Sequence, residues 1–165
     1  MSYKQKKTED NVVKEPQAPY YTAHNTGTPF INILGGAKFS TAANEWDILN
    51  LTRKGLPKHT LMQMAKNISL TQQEISDIMH ISERTLQRYD DADVIKTEYS
   101  EKAIALARLY DRGAEVFGAI EKFKIWIRTP SVVFKGEAPL SLLDTSFGFN
   151  MVLDELGRIE HGIFA

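Results

Sequence analysis

The stretch TQQEISDIMHISERTLQRYD, residues 71–90, reads as two short helices joined by a tight connection. Thr71 and Glu74 stand at capping-box spacing, and Ile75, Ile78 and Met79 form one apolar stripe behind them. The connection MHIS leaves room only for a sharp turn before Ser82, which can cap a second helix. This is the helix-turn-helix plan, in which the N-terminal residues of the second helix reach base edges in the major groove. Ile81, Leu86 and Tyr89 are expected to pack inward. Ser82, Glu83, Arg84, Gln87 and Arg88 form the candidate DNA-binding set, with Arg84 and Arg88 suited to guanine or phosphate and Gln87 to adenine.

Charge does not force that reading. From Leu51 to Ser100 seven basic residues, including Arg53, Lys54, Lys58, Arg84 and Arg88, face seven acidic ones, including Glu74, Asp90, Asp91 and Asp93. A neutral module gains little from counterion release, so tight DNA binding needs a second copy, the Lys-rich N-terminal arm or a partner. Two short helices with a tight turn also occur in all-α domains that never touch DNA, and both readings stay open here.

Outward from this motif the punctuation is helical. Residues 1–29 carry Pro16, Pro19 and Pro29 among polar residues with no sustained period, which reads as a flexible arm. FINILGGAKF, around Ile31 and Ile33, fits either a short extended segment or a docked loop. Ser40 or Thr41 can cap a helix with Ala42, Trp46 and Leu49 on one face, ended by Gly55. Pro57 suits the first turn of the next helix, whose inner face is Leu61, Met64, Ala65 and Ile68.

A long helix is expected from Ser100 to about Phe117, with Ala103, Ile104, Ala107, Leu109 or Tyr110, and Ala114 inward. Another covers Ala119 to Ile127, stopped before Thr129-Pro130. SVVFKGEAP reads as a loop, and Pro139 can seat the first turn of PLSLLD. Asp144 or Thr145 then caps a last helix with Phe149, Val152, Leu153 and Leu156 on one face and Asn150, Asp154 and Arg158 on the other. Gly148 and Gly157 inside it each cost about 1 kcal/mol relative to alanine, which points to a second backbone passing close by or to a plain helix weakness. The whole is an all-α chain of about eight helices.

Composition narrows the function classes. The 165 residues are 42% hydrophobic and 25% charged, with a formal net charge of −1 and no cysteine. That excludes disulfides and cysteine-based metal or nucleophilic chemistry. The opening MSYKQKKTED has no apolar h-region, and no run approaches the roughly 18 apolar residues of a membrane span, so no membrane association and a cytoplasmic location are expected. His24, His59, His80 and His161 fall in no metal-binding spacing, and LGGAK is too short for a phosphate loop. No catalytic residues, metal or cofactor are expected, and the chain reads as a non-enzyme.

The C-terminal third carries a further pattern: Trp126 and Pro130 as W-x-x-x-P, Gly136, Pro139 and Leu140 as G-x-x-P-L, and Leu143, Thr145 and Gly148 as L-x-T-x-x-G. Val152, Leu156, Arg158, Ile159 and Gly162 complete it. In this it resembles the toxin-binding domain of the Xre/MbcA/ParS family of bacterial antitoxins, and GRIEHGIFA is most similar to members partnered with RES-domain toxins. The resemblance departs at Lys135-Gly136, where relatives often have two glycines, and at Ala105 and Ala107, where they tend to carry more arginine.

The resemblance implies a Xre/Cro-like helix-turn-helix module followed by a C-terminal helical toxin-binding domain. The organisation becomes an arm over 1–29, a helical region over 30–118 containing the 71–90 motif, and a toxin-binding domain over 119–165. Trp126, Leu140, Leu143, Val152 and Leu156 would build the C-terminal core. RES toxins resemble ADP-ribosyltransferases and consume NAD, and such antitoxins occlude the NAD pocket with their C-terminal segment while repressing their own operon. The residues expected to face the toxin are Arg158, Glu160, His161, Gly162 and Ala165. A planar Arg158 can bond bidentately, and Glu160 or the Ala165 carboxylate can meet cations that would otherwise hold phosphate. The implied partners are the cognate RES toxin, operator DNA and a second copy of the chain, as a homodimer or a larger complex on a palindromic site. The competing reading is a transcriptional regulator or partition-type scaffold whose C-terminal domain only dimerises.

Overall fold

A computed structural model describes residues 29–35 and 44–162; the arm before residue 29, Ser40, Thr41, Ala42, Ile163, Phe164 and Ala165 lie outside the described residues. The described chain is all-α: α1 (Pro29–Leu34), α2 (Glu45–Lys54), α3 (Lys58–Asn67), α4 (Gln72–Met79), α5 (Glu83–Gln87), α6 (Thr97–Phe117), α7 (Ile120–Trp126) and α8 (Ser146–Glu160), with 3-10 turns at Val132–Phe134 and Pro139–Asp144.

The 21-residue α6 is the axis of the molecule, and α1, α2, α3, α4, α7 and α8 all pack on it. Small residues make this possible: Ala103, Ala107 and Gly113 are buried along it together with Ile104, Leu106, Leu109 and Tyr110. The Phe123 ring of α7 lies directly over Gly113, where an added Cβ would sit 2.3 Å from it. Around Phe123 the rings of Tyr110, Phe117 and Trp126 stand at centroid distances of 5.0, 6.0 and 5.7 Å. Tyr110 meets Phe123 edge to face, the arrangement the ring quadrupoles favour.

FINIL, open between an extended segment and a loop by sequence, is the helix α1, and Phe30, Ile31, Ile33 and Leu34 are all buried. Arg108 of α6 lies over the Phe30 ring and forks Glu45 at 2.8 and 2.7 Å, fixing α1 and the start of α2 on the same helix. The cap of α2 is Asn44, in a capping box with Asp47. Started there and held by Arg108, α2 buries Ile48, with Leu51 packed on the core, and turns Trp46 outward at 71% exposure, so the expected Trp46–Leu49 face is corrected.

Gly55 ends α2 at φ 82°, and a side chain there would meet Val94 and the Ile95 carbonyl. Beyond it the Leu56 N–H donates to the Ser100 hydroxyl and the Leu56 carbonyl accepts from the Ile95 N–H, both at 2.9 Å. Pro57 precedes α3, whose Leu61, Met64 and Ala65 are buried with the following Ile68, the face expected from sequence.

In the last third, Thr145 caps α8 and accepts the Gly148 N–H at 3.0 Å. Val152 and Leu156 are fully buried, but the rest of the buried stripe is Gly148 and Glu155, while Leu153 is 38% exposed and Phe149 only packs on the core edge. The reason is Gly148: a Cβ there would lie 2.0 Å from the Leu142 carbonyl oxygen, so the helix backbone rests on the preceding 3-10 turn and its phase is fixed by that contact. Among the described residues nothing approaches Gly157, and no packing there accounts for the second glycine. Gly148→Ala is expected to cost about 1–3 kcal/mol as an overpacked site, whereas Gly157→Ala is expected to stabilise by up to about 1 kcal/mol through helix propensity, measured by urea unfolding.

The core of this third is broader than expected. Leu143 is buried, Trp126 and Leu140 are half-buried, and Phe123, Ile127 and Phe134 carry the centre. Lys135, standing where the family often has glycine, adopts the left-handed conformation at φ 55° and is followed by Gly136 at 90°. The chain thus keeps the glycine-like turn with a side chain in it.

Candidate functional site

The first candidate surface is built on α4 and α5. The capping box of α4 is complete: Thr71 accepts the Glu74 N–H at 3.2 Å and Glu74 accepts the Thr71 N–H at 2.7 Å. His80 takes the left-handed conformation at φ 55° that turns the chain, and Ile81 drops into the core with its N–H on the Ser76 carbonyl at 3.0 Å. Ser82 then caps α5 by accepting the Thr85 N–H at 3.0 Å. Leu86 is buried and Tyr89 packs on the core, as the spacing predicts.

Ser82, Arg84, Gln87 and Arg88 are exposed and Glu83 is half-exposed, so the candidate DNA-binding set is open to solvent. Arg84 and Arg88 form no ion pair with any described residue. The helix is shorter than its sequence pattern: α5 ends at Gln87 and Arg88 is its C-cap. The chain turns away there because Lys58 of α3 donates to the Tyr89 carbonyl at 2.7 Å and Asp93 accepts the Asp90 N–H at 2.8 Å. Lys58 also lies 3.6 Å from Asp91.

The second candidate surface is the end of α8, which runs helically through Glu160. Arg158 is exposed and donates to Glu155, one turn back and nearly buried, at 3.1 Å. His161 is the exposed C-cap, and Gly162 follows at φ 66°. Glu160 points elsewhere: it is ion-paired with Arg112 of α6, which also meets Glu115 at 3.2 Å. The expected group therefore divides, with Arg158 and His161 outward and Glu160 tied to the body of the molecule. Ala165 lies outside the described residues.

Sequence reasoning passed over the apolar members of the outward face. Phe147 is 76% exposed and Met151 37%, and they stand at i and i+4 ahead of Asp154 and Arg158 at i+7 and i+11. That spacing was readable beside Asn150, Asp154 and Arg158, but the apolar residues read along this helix were only Phe149, Val152, Leu153 and Leu156.

The helix-turn-helix is tied to α6 and to the segments that flank α7 and α8. Arg128, beyond α7, grips both carboxylate oxygens of Glu74 and donates to the Ser69 carbonyl at 2.7 Å. The His80 ring bonds the Asp144 carbonyl at 2.6 Å, and Lys102 of α6 donates to the Ile78 carbonyl at the end of α4 at 2.9 Å. Between these ties lies a cleft of about 450 Å³ lined by Glu74, Asp77, Ile78, Arg128, Leu140 and Asp144.

Two of its charged groups, Glu74 and Arg128, are already spent on each other. The Arg128 guanidinium holds the Glu74 carboxyl below its ordinary pKa of 4.5, against the smaller opposing effect of burial. A lowered folded-state pKa adds stability that is present above about pH 4.5 and lost as pH falls through the lowered value. Glu74→Gln is expected to flatten the acid limb of the stability–pH curve, measured by thermal melts between neutral pH and about pH 3.

Among the described residues no group of three or more His, Asp or Glu is placed to hold a metal ion, and no helix is long and apolar enough to cross a membrane. What the fold defines is an all-α protein in which a helix-turn-helix is fused, through a shared long helix, to a second helical domain. Residues 47–108 match the antitoxin Xre-like helix-turn-helix domain, and residues 112–162 match the antitoxin Xre/MbcA/ParS C-terminal toxin-binding domain. A relative described as antitoxin Xre, from Yersinia enterocolitica serotype O:8 / biotype 1B, is 34% identical over 99 residues, 59% of this chain and 67% of the relative. The chain belongs to the Xre/MbcA/ParS-type antitoxins and has the antitoxin role in a toxin–antitoxin system.

Proposed function

We propose that this antitoxin neutralises a RES-domain, NAD-consuming toxin by placing its C-terminal segment in the toxin's active site, and that it represses its own operon through α5 as a cytoplasmic homodimer or larger toxin complex without catalysis of its own. The observation that carries the first part is the position of Arg158: exposed, at the end of the last helix, and oriented by the nearly buried Glu155. An NAD pocket holds pyrophosphate and ribose, so the groups lining it are polar or charged. A planar guanidinium already held in one orientation loses less freedom on entering it than a free one does. The resemblance of GRIEHGIFA to antitoxins of RES toxins supports this choice of toxin class.

Co-expression with a RES-domain protein encoded beside this chain tests the proposal. Growth arrest relieved by the full chain but not by one lacking residues 158–165 is expected; equal rescue by both chains overturns the plug. For the operon, Arg84→Ala and Arg88→Ala are each expected to weaken binding to the DNA upstream of the gene by about 1–3 kcal/mol, read by fluorescence anisotropy at fixed salt.

A further inference from the structure

The outward face of α8 carries a stripe of exposed side chains, Phe147, Met151, Asp154 and Arg158. We propose that Phe147, Met151, Asp154 and Arg158 dock together into a groove on the toxin that leads to its active-site mouth, so that α8 binds as a helix in a groove and delivers the segment after it. This rests on the toxin-neutralising reading above and adds where the grip lies.

Four observations carry it. The spacing of four, three and four residues puts the four side chains on one helical face. Phe147 and Met151 are large apolar side chains left 76% and 37% exposed, although the same helix buries Val152 and Leu156 completely. An aromatic residue, a methionine and an arginine are the residue types enriched at the centres of protein interfaces. Finally, the stripe lies inside the segment matched to the toxin-binding domain and is continuous with Arg158.

The stripe also describes its partner. Phe147 and Arg158 are eleven residues apart, about 16 Å along the helix. The groove is apolar at the Phe147 end, offers a cationic or hydrogen-bond-donating group near Asp154, and ends in an anionic or carbonyl-rich site for the guanidinium. A second copy of this chain fits less well. Two such stripes packed together would bury only a fraction of the roughly 800 Å² per partner of a stable interface, whereas as the edge of a larger toxin contact that area is sufficient.

The test uses the purified full chain and the RES-domain protein encoded beside it, with affinity measured by titration calorimetry. Phe147→Ala/Met151→Ala is expected to raise Kd at least thirtyfold, with the helical circular dichroism and melting temperature of the free chain unchanged. Phe147→Gln, which keeps an extended side chain and removes the aromatic apolar surface, is expected to raise it about tenfold. Trp46→Ala, equally exposed but on α2, leaves Kd unchanged. If the wild-type chain does not bind, the toxin assignment itself falls. Wild-type binding with the double variant within threefold of it overturns the stripe alone. A double variant that binds normally but converts the free chain from dimer to monomer in sedimentation assigns the face to self-association and also overturns the proposal.

Discussion

Arg158→Ala is expected to abolish toxin neutralisation, with affinity reduced by about 2–5 kcal/mol, the cost of truncating one member of a charged pair desolvated in a complex. In the free chain the same side chain is 53% exposed and its Glu155 pair is one surface-edge contact, so its charge attraction contributes little to folding. Glu155 is the complication. It is 11% exposed at the side chain, and removing Arg158 leaves its carboxylate without the donor it has in the structure. An unmatched, nearly buried carboxylate destabilises, so Arg158→Ala is to be compared with Arg158→Ala/Glu155→Gln, which removes the orphaned charge. Recovered stability without recovered neutralisation separates the toxin contact from the fold. Arg158→Lys keeps the charge and loses the planar fork, and it is expected to neutralise poorly if bidentate contact matters.

Phe123→Ala is expected to cost about 3–5 kcal/mol, the range for emptying a buried aromatic site. Phe123 is fully buried against Gly113, which offers no side chain to fill the space, and it contacts Tyr110, Phe117 and Trp126. Against the 5–15 kcal/mol of a typical domain this is a large share. Because α6 serves both the helix-turn-helix and the C-terminal helices, the loss is expected in one cooperative transition followed by circular dichroism and by the fluorescence of Trp46 and Trp126 together. Separate transitions in the two signals would show that the halves unfold independently.

Local chemistry is where the sequence was legible. The Thr71–Glu74 box, Ser82, Thr145 and Gly55 each act on neighbours within four residues, and each does what its position implies, while Pro57 stands one place ahead of the helical turn expected of it, at the N-cap of α3. Features set by distant partners were not legible. Asn44 begins α2 and Arg108 holds its first turn from 63 residues away, which is why Trp46 faces outward. Phe123 becomes the hub of the aromatic cluster because Gly113 leaves space for its ring, and a single glycine inside a helix does not reveal what covers it. Glu160 reads as a solvent-facing tail residue until Arg112, 48 residues earlier, is seen beside it. Phe147 and Met151 drew no role from the sequence, because the inner face of the last helix was read from Phe149, Val152, Leu153 and Leu156, and only packing shows which apolar residues of an amphipathic helix stay exposed.

The most direct measurement is the rate of NAD consumption by the purified RES-domain protein encoded beside this chain, titrated with the full chain and with a chain ending at residue 157. Stoichiometric inhibition by the full chain and none by the shortened one is the expected result. Equal inhibition by the two chains, or none by either, would contradict it.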